Sequence, residues 1–538
     1  MVRTLTALTR LLDVVTMLET DPRVQIVFTT DSASTAIFRR GVDDFLSGLG
    51  AAAITWDQAT RTHFDLVIAA SENDRLEQLD GPVLLVPHGL GFQKYYPGGR
   101  VVAGMDPARL LHNGRPVPAA IALSHPQQRD LLESSCPQAA SRAVIVGDPS
   151  LDRLLASRHR RHVYRTDLHT RQRFLVLIAS TWGPDSLLGR LPRLPDRVAT
   201  ALPVDEYRVA VVLHPGVWAA HGPWQVRAWL GRARGHGVHL VPPQGWEGAL
   251  TAADVVVSDH GSVALYAAAL GKPLLLSGGD GESTVADSAA ARLAVLAKRL
   301  DLNGDVHAQI DGALRGHDVG AWASVTRQGV DGPGTCAGRL RPLLYRMLRL
   351  ADPADEPTFP PAESVVGPTP AAQALVVGML DDRDAVSLAR FPAAQDDGDA
   401  HVGLAFRHLV VDVDRASVRE LGAASILCVT LDSARPRDFV GRADGLLAQW
   451  PNARMVAGRV DEATCWVRLP DRLVTARMPS APVDADPLAL ASVVSILDCR
   501  SLSLAGRTTL RLGDQVTPVE LEVDSTEPGS TPPWDVQR

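Results

Sequence analysis

The chain has 538 residues, 46% hydrophobic and 21% charged, with a formal net charge of −7 at pH 7 and a mean hydropathy of +0.02. This is ordinary globular composition, enough for two to four domains with sizeable cores, and it excludes a disordered polymer or a basic nucleic-acid binder. No apolar run reaches the roughly 18 residues needed to span a bilayer. Arg10 and Asp13 interrupt the apolar N-terminus, so it fails as a signal-peptide core. Five scattered cysteines (Cys136, Cys336, Cys428, Cys465, Cys499) form no C-x-x-C pair, which argues against zinc or a disulfide framework and fits a reducing cytoplasm. Only three of the 54 basic residues are lysine (Lys94, Lys272, Lys298), a codon-level bias toward arginine.

In chain order, residues 24–29 (VQIVFT) read as a buried strand, followed by a helix over about 36–49. Strands at 64–69, 83–86, 119–123 and 143–146 continue the series. Short aliphatic runs without polar alternation suit a parallel sheet covered on both faces. The pattern then restarts with strands at 174–179, 208–213, 238–241, 254–258 and 273–276, and helices at 224–234 and 262–270. The expectation is α/β: two doubly wound Rossmann-like lobes over residues 1–160 and 161–350. Residues 351–371 are proline-rich and read as an extended linker. Residues 372–524 read as a smaller C-terminal α+β domain of unassigned role, with strands at 401–413, 425–431, 455–460 and 463–469 and helices at 437–450 and 487–497. Residues 525–538 read as a disordered tail.

In open parallel sheets, ligands bind beyond the carboxyl ends of the strands. The strand at 83–86 ends in Pro87-His88-Gly89, and the strand at 208–213 ends in His214-Pro215-Gly216. The strand at 254–258 ends in Ser258-Asp259-His260-Gly261-Ser262 and runs straight into a helix. Free backbone N–H groups at such a junction form an anion site with the helix dipole, and Gly261 lets a phosphate approach closely. The same residues read equally well as an N-cap without a ligand. His88 suits a general base for a hydroxyl proton, and His214 a donor to phosphate, although isolated histidines are more often structural. His125 and His260 read as loop histidines. P-loop, G-x-G-x-x-G and G-x-S-x-G motifs are missing, which counts against P-loop NTPases, NAD or FAD enzymes and α/β-hydrolases. The D-x-D pairs at Asp412/Asp414 and Asp484/Asp486 read as chance. No metal or cofactor is inferred.

Four stretches carry a family resemblance: VPHGLGFQK at 86–94, VGDPSLDRLL at 146–155, LHP at 213–215 and AADVVVSDHGSVALYAAALGKP at 252–273. Together they resemble the CDP-glycerol glycerophosphotransferase (teichoic-acid polymerase-like) group of GT-B fold transferases, over about residues 20–340. The family's Thr-Pro after His-Gly is Leu90-Gly91 here, and its Tyr-Ser-Ser is His260-Gly261-Ser262. The resemblance implies a transferase moving a glycosyl or glycerophosphoryl group from a nucleotide-activated donor to a hydroxyl acceptor, polymer or lipid-linked, in cell-wall or surface-polymer synthesis. It implies His88 as catalytic base on the acceptor side, His214 against the donor phosphates, and Ser258, Asp259, Gly261 and Ser262 as donor-phosphate ligands. The family works at the inner membrane face, whereas this sequence shows no basic amphipathic helix, so a cytoplasmic location with at most peripheral membrane contact is expected. Similar turns occur in sugar-nucleotide 2-epimerases, for which Asp148, Asp259 and Glu282 are the available carboxylates. A non-catalytic nucleotide-binding GT-B scaffold is the third reading.

Overall fold

The computed structural model describes the chain except residues 32–40, 97–98, 171, 278–283, 364–370, 372, 382–384, 393–405, 417, 432–434, 482–485 and 525–538. The tail expected at 525–538, Glu282 and Asp484 therefore lie outside the described residues. After helix α1 (Leu5–Val15), strands β1 (Val67–Ala69), β2 (Val83–Leu85), β3 (Pro118–Leu123) and β4 (Ala143–Ile145) form a parallel sheet in chain order. Leu84, Ala120 and Ala122 pack on one side with α1, while Val83, Leu85, Ile121 and Leu123 pack on the other. Burial of both faces explains the unbroken apolar runs. The strand expected at 24–29 is reduced to Phe28–Thr29, paired with Ala53–Ile54 outside this sheet. Val24 and Ile26 pack against the α1 core instead. The helix expected at 36–49 is seen as Val42–Gly48.

Helix α2 (Pro149–Ser157) leads to the second lobe. Its six parallel strands are β5 (Phe174–Ser180), β6 (Tyr207–Leu213), β7 (His239–Val241), β8 (Val255–Ser258), β9 (Leu274–Leu276) and β10 (Lys298–Arg299). Their order is β7-β6-β5-β8-β9-β10, so the winding reverses beside β5, between it and β8. That switch point is where such sheets open a crevice. Helix α3 (Pro215–Trp229) follows β6 and α4 (Ser262–Ala269) follows β8. The helix expected at 224–234 is the second half of α3, which kinks at Gly222, followed by a short turn at Gly231–Gly235.

The second lobe was expected to run to residue 350, but the chain returns earlier. Helix α5 (Cys336–Leu348) lays Leu340, Leu344 and Tyr345 into the first-lobe core, and Tyr345 donates to Asp21 at 2.7 Å. Sequence adjacency does not reveal which core an apolar helix face joins. The expected linker has no regular structure over 351–363, yet it is stitched to the lobes. Phe359 is buried in the first-lobe core, and Tyr164 donates to the Ala362 carbonyl at 2.7 Å.

A buried polar network joins the lobes. Arg10 of α1 pairs with Asp148 at 2.6 Å, donates to Ser150 at 3.1 Å, and meets the Tyr266 hydroxyl of α4 at 3.3 Å. The Arg10 and Asp148 side chains are 3% and 0% exposed. Asp13 accepts from Ser150 and Arg153.

The C-terminal unit differs from the expected α+β domain: it is a closed nine-stranded barrel. Its strands are β11 (Gln373–Leu380), β12 (Ala385–Pro392), β13 (Phe406–Asp412), β14 (Ile426–Thr430), β15 (Met455–Arg459), β16 (Thr464–Arg468), β17 (Leu473–Arg477), β18 (Gly506–Leu512) and β19 (Gln515–Asp524). They run β11-β12-β18-β19-β17-β16-β15-β14-β13 and close back on β11. Helix α6 (Pro436–Gln449) covers the outside, and helix α7 (Ala489–Cys499) is buried on every side from Ala489 to Leu497. Ile426, Cys428, Met455, Ala457 and Val467 share a core with α7, while Leu427, Val429, Val456 and Trp466 face α6. This period-2 split sends alternate residues to opposite faces. At Gly378 on β11 the tip of the Ile496 side chain of α7 packs directly on the strand backbone, 2.3 Å from where a Cβ would lie. Arg390 of β12 seats the barrel on the second lobe, pairing with Asp205 while Val204 donates to its carbonyl at 2.7 Å. Asp205 precedes β6, so the barrel sits at the opposite end of that sheet from the crevice. Of the described members of the two acidic pairs, Asp412 pairs with Arg415, Asp414 with Arg442, and Asp486 with Arg390 and Arg459.

Candidate functional site between the two lobes

The first wall is the turn after β2. His88 is exposed, and its Nδ1 lies 3.2 Å from the Ala70 carbonyl oxygen. A carbonyl only accepts, so in the neutral ring the proton sits on Nδ1 and Nε2 presents a lone pair. Gly89 has φ 95°, and a side chain there would come within 2.7 Å of the Ser262 hydroxyl. Both conditions demand glycine. They also bring the His-Gly turn of one lobe against the helix start of the other. The chain then crosses the crevice. Leu90 is buried in the second-lobe core, the Gln93 carbonyl accepts from the Val285 amide at 2.9 Å, and Lys94 bridges to Thr284.

The second wall begins at β6. His214 caps α3: its Nδ1 accepts from the Gly216 amide at 3.0 Å. The proton of the neutral ring is therefore on Nε2, the reverse of His88. Burial, then the nearness of His88 and the Lys94 cation, pushes the His214 pKa down to about 3, so the ring is a neutral hydrogen-bond donor near pH 7. Lys94 is half-buried, and burial lowers its pKa against the attraction of Asp259. His260 is also lowered, by burial and then by Lys94, against Asp259 and Asp185.

The third wall is the β8–α4 junction. Asp259 is 1% exposed. Its Oδ2 accepts from the Thr181 amide at 2.8 Å, the Thr181 hydroxyl at 2.7 Å and the Leu187 amide at 3.0 Å, while Oδ1 accepts from Gly261 at 3.1 Å. Ser258 donates its hydroxyl to the Ala179 carbonyl at 3.0 Å. Both side chains are thus engaged in clamping β5 to β8. A carboxylate would also repel a phosphate, so the direct ligand roles expected of Ser258 and Asp259 give way to positioning. Gly261 precedes the helix with extended backbone, and a side chain there would meet Thr181 at 2.6 Å. The amides of Ser262 and Val263 open α4 and have no acceptor within their own helix, the arrangement that an anion site requires.

His88, His214 and the 258–262 turn thus come together, as their places at strand ends implied. Asp148 does not join them: it caps α2 through the Leu151 amide and pairs with Arg10. His125 accepts from the Gln127 amide at 3.2 Å in a loop. The sequence reading gave no role to Lys94 or to the Thr181–Trp182 loop. The lysine had a signal: in a chain that uses arginine almost everywhere, a kept lysine marks a place for a compact point charge.

No protein family's sequence profile and no curated protein matches the chain. Among solved structures, it is similar to the wall teichoic acid polymerase TagF, in a variant form soaked with CDPG, at 12% identity over 63% of this chain and 85% of that one, with a TM-score of 0.45. It is similar to MnaA of S. aureus in a co-structure with UDP, at 13% identity over 66% and 98%, TM-score 0.42. A putative UDP-N-acetylglucosamine 2-epimerase from Listeria monocytogenes matches at 15% identity over 66% and 97%, TM-score 0.41. In this chain itself, the two facing parallel-sheet lobes are the arrangement that the GT-B resemblance implies. No helix among the described residues is long and apolar enough to cross a membrane.

Proposed function

We propose that the chain is a transferase that moves a glycosyl or glycerophosphoryl group from a nucleotide-activated donor to a hydroxyl acceptor, in cell-wall or surface-polymer synthesis. One observation carries this reading: two histidines of opposite hydrogen-bond polarity flank a helix N-terminus, His88 with a lone pair on Nε2 and His214 with its proton there. A transfer to a hydroxyl needs both functions at once. The acceptor oxygen attacks the donor's anomeric carbon or phosphorus while His88 Nε2 takes its proton. The bond to the nucleotide breaks, and the electron pair leaves with the nucleotide phosphate. His214 Nε2–H, the Ser262 and Val263 amides and the Lys94 charge stabilise the negative charge that builds there. Asp259 holds the Thr181 loop and Gly261 in place for this task.

An epimerase is less well supported, because the two described candidate carboxylates are already engaged, Asp148 by Arg10 and Asp259 by four donors. The test is release of nucleotide from CDP-, UDP-, GDP- and ADP-linked donors with and without hydroxyl acceptors. Acceptor-dependent release supports the proposal. Tight binding with no release across the panel favours the scaffold reading, and isomerisation without acceptor favours the epimerase. His214→Asn refines the test, since an asparagine oxygen still caps Gly216 but no longer offers Nε2–H. Turnover is expected to fall about 10²–10³-fold, as for loss of one donor to a developing charge, with the thermal midpoint unchanged.

A further inference from the structure

The loop that carries His88 is fastened in both lobes. On the first-lobe side, the Gly91 carbonyl accepts from the Gln128 carboxamide at 3.3 Å, and Gln128 accepts from the Ser124 amide, just past β3, at 2.8 Å. Gly91 also packs so closely on Pro87 that a Cβ would lie 2.4 Å from the proline ring. On the second-lobe side, Leu90 is buried in that lobe's core, and the Gln93 side chain spans the gap. Its Nε2 donates to the Gly91 carbonyl at 3.1 Å, and its Oε1 accepts from the Ala290 amide at 3.2 Å. Ala290 lies in the first turn of the helix Ala289–Leu296, whose opening amides have no acceptor within the helix. Ser288 meets the Ala291 amide from the same stretch of chain, whereas the Ala290 amide is met by a side chain from across the crevice.

We propose that Gln93 is a positioning residue for the candidate site: its carboxamide latches the 88–94 loop onto the second lobe and so sets where the His88 ring and the Lys94 ammonium stand. The inference rests on the transferase reading above, in which both groups act. His88 sits just before the Leu90 anchor and Lys94 directly follows Gln93, so the backbone at both is fixed against the β8–α4 turn while the anchors hold. The fit is close, since a side chain at Gly89 would come within 2.7 Å of the Ser262 hydroxyl. Hydrogen bonds thus run from Ser124 through Gln128, Gly91 and Gln93 to Ala290, from the sheet of one lobe to a helix of the other. A base displaced from its substrate by 1 Å loses about 10²-fold in rate, so such a latch acts on turnover.

The test compares the wild type with two variants. Gln93→Met keeps length and volume but neither hydrogen bond. Gln93→Glu keeps the accepting oxygen at the helix start, where a negative charge is favoured. Turnover and equilibrium affinity are measured with the best of the CDP-, UDP-, GDP- and ADP-linked donors, together with hydrogen exchange of the backbone amides over 284–296. Gln93→Met is expected to exchange faster over 284–296 and to turn over about 10- to 100-fold more slowly. Donor binding weakens by a smaller factor, because the α4 amides and His214 stay in the second lobe. Gln93→Glu regains the exchange protection and most of the turnover. The latch is overturned if exchange over 284–296 is the same in all three proteins. Faster exchange in Gln93→Met with wild-type turnover overturns the positioning role, because the carboxamide would then only cap the helix. A Gln93→Glu protein that is protected yet as slow as Gln93→Met has the same meaning. A wild type that turns over none of the donors removes the transferase reading and the positioning role with it, while exchange still decides the latch.

Discussion

Replacing His88 by alanine is expected to lower turnover by about 10²–10⁴-fold, the usual contribution of a positioned general base, while donor affinity stays nearly unchanged. The separation follows from where the ring stands. His88 is exposed on the first lobe, held by one bond to the Ala70 carbonyl, whereas the α4 amides and His214 belong to the second. Loss of the imidazole therefore removes the proton acceptor without touching the phosphate contacts. His88→Gln separates charge from hydrogen bonding, because its amide can still accept from the acceptor hydroxyl but cannot carry the proton away. It is expected to be nearly as slow as alanine. Steady-state turnover and equilibrium donor binding on the same preparations check both statements, and wild-type turnover in His88→Ala would remove His88 from the mechanism.

The second large effect concerns stability. Arg10→Met keeps volume but leaves Asp148 without its cation at a site where both side chains are essentially buried. Breaking a buried pair by removing one partner costs about 3–5 kcal/mol, because the remaining charge stays desolvated. The double variant Arg10→Met with Asp148→Asn is expected to recover more than half of that loss, since asparagine is neutral and can still cap α2 through the Leu151 amide. Urea unfolding of the two single variants and the double variant measures the coupling. Additive losses would show that the pair is not a unit. Because Arg10 also meets Tyr266 on α4, Arg10→Met is expected to loosen the placement of that helix and reduce donor affinity along with stability.

The sheets of both lobes were legible because burial on two faces writes a strand as an unbroken aliphatic run, as in Val176–Leu177–Ile178, whose neighbours alternate between two cores. The barrel was not. Its strands β13 to β16 were readable one by one, but closure depends on β18 and β19 pairing with distant partners, and no local pattern encodes that. Gln373–Leu380 carries an apolar run (ALVVGML) that does not announce a strand over a helix. At the candidate site, the strand-end rule singled out His88, His214 and Ser262, which the fold brings near one another. Hydrogen-bond polarity was beyond it: which histidine nitrogen carries the proton depends on the Ala70 carbonyl and the Gly216 amide, the first far away in sequence. Asp259 was given a ligand role by the family resemblance, and only the positions of Thr181 and Leu187 show that its carboxylate is already engaged.

The account turns on the opposed tautomers of His88 and His214, and ¹⁵N NMR of histidine-labelled protein, assigned with His88→Gln and His214→Asn, reads them directly. The expected spectrum shows His88 protonated on Nδ1 near pH 7, with Nε2 carrying the lone pair. His214 should be protonated on Nε2 and stay neutral as the pH falls through the usual histidine range, its charge appearing only toward pH 3. The folded ring thus declines a proton that the unfolded chain accepts, so its share of stability shrinks as pH drops below about 6.5. The same tautomer at both rings, or a His214 that titrates near 6.5, would contradict the division of labour between base and donor.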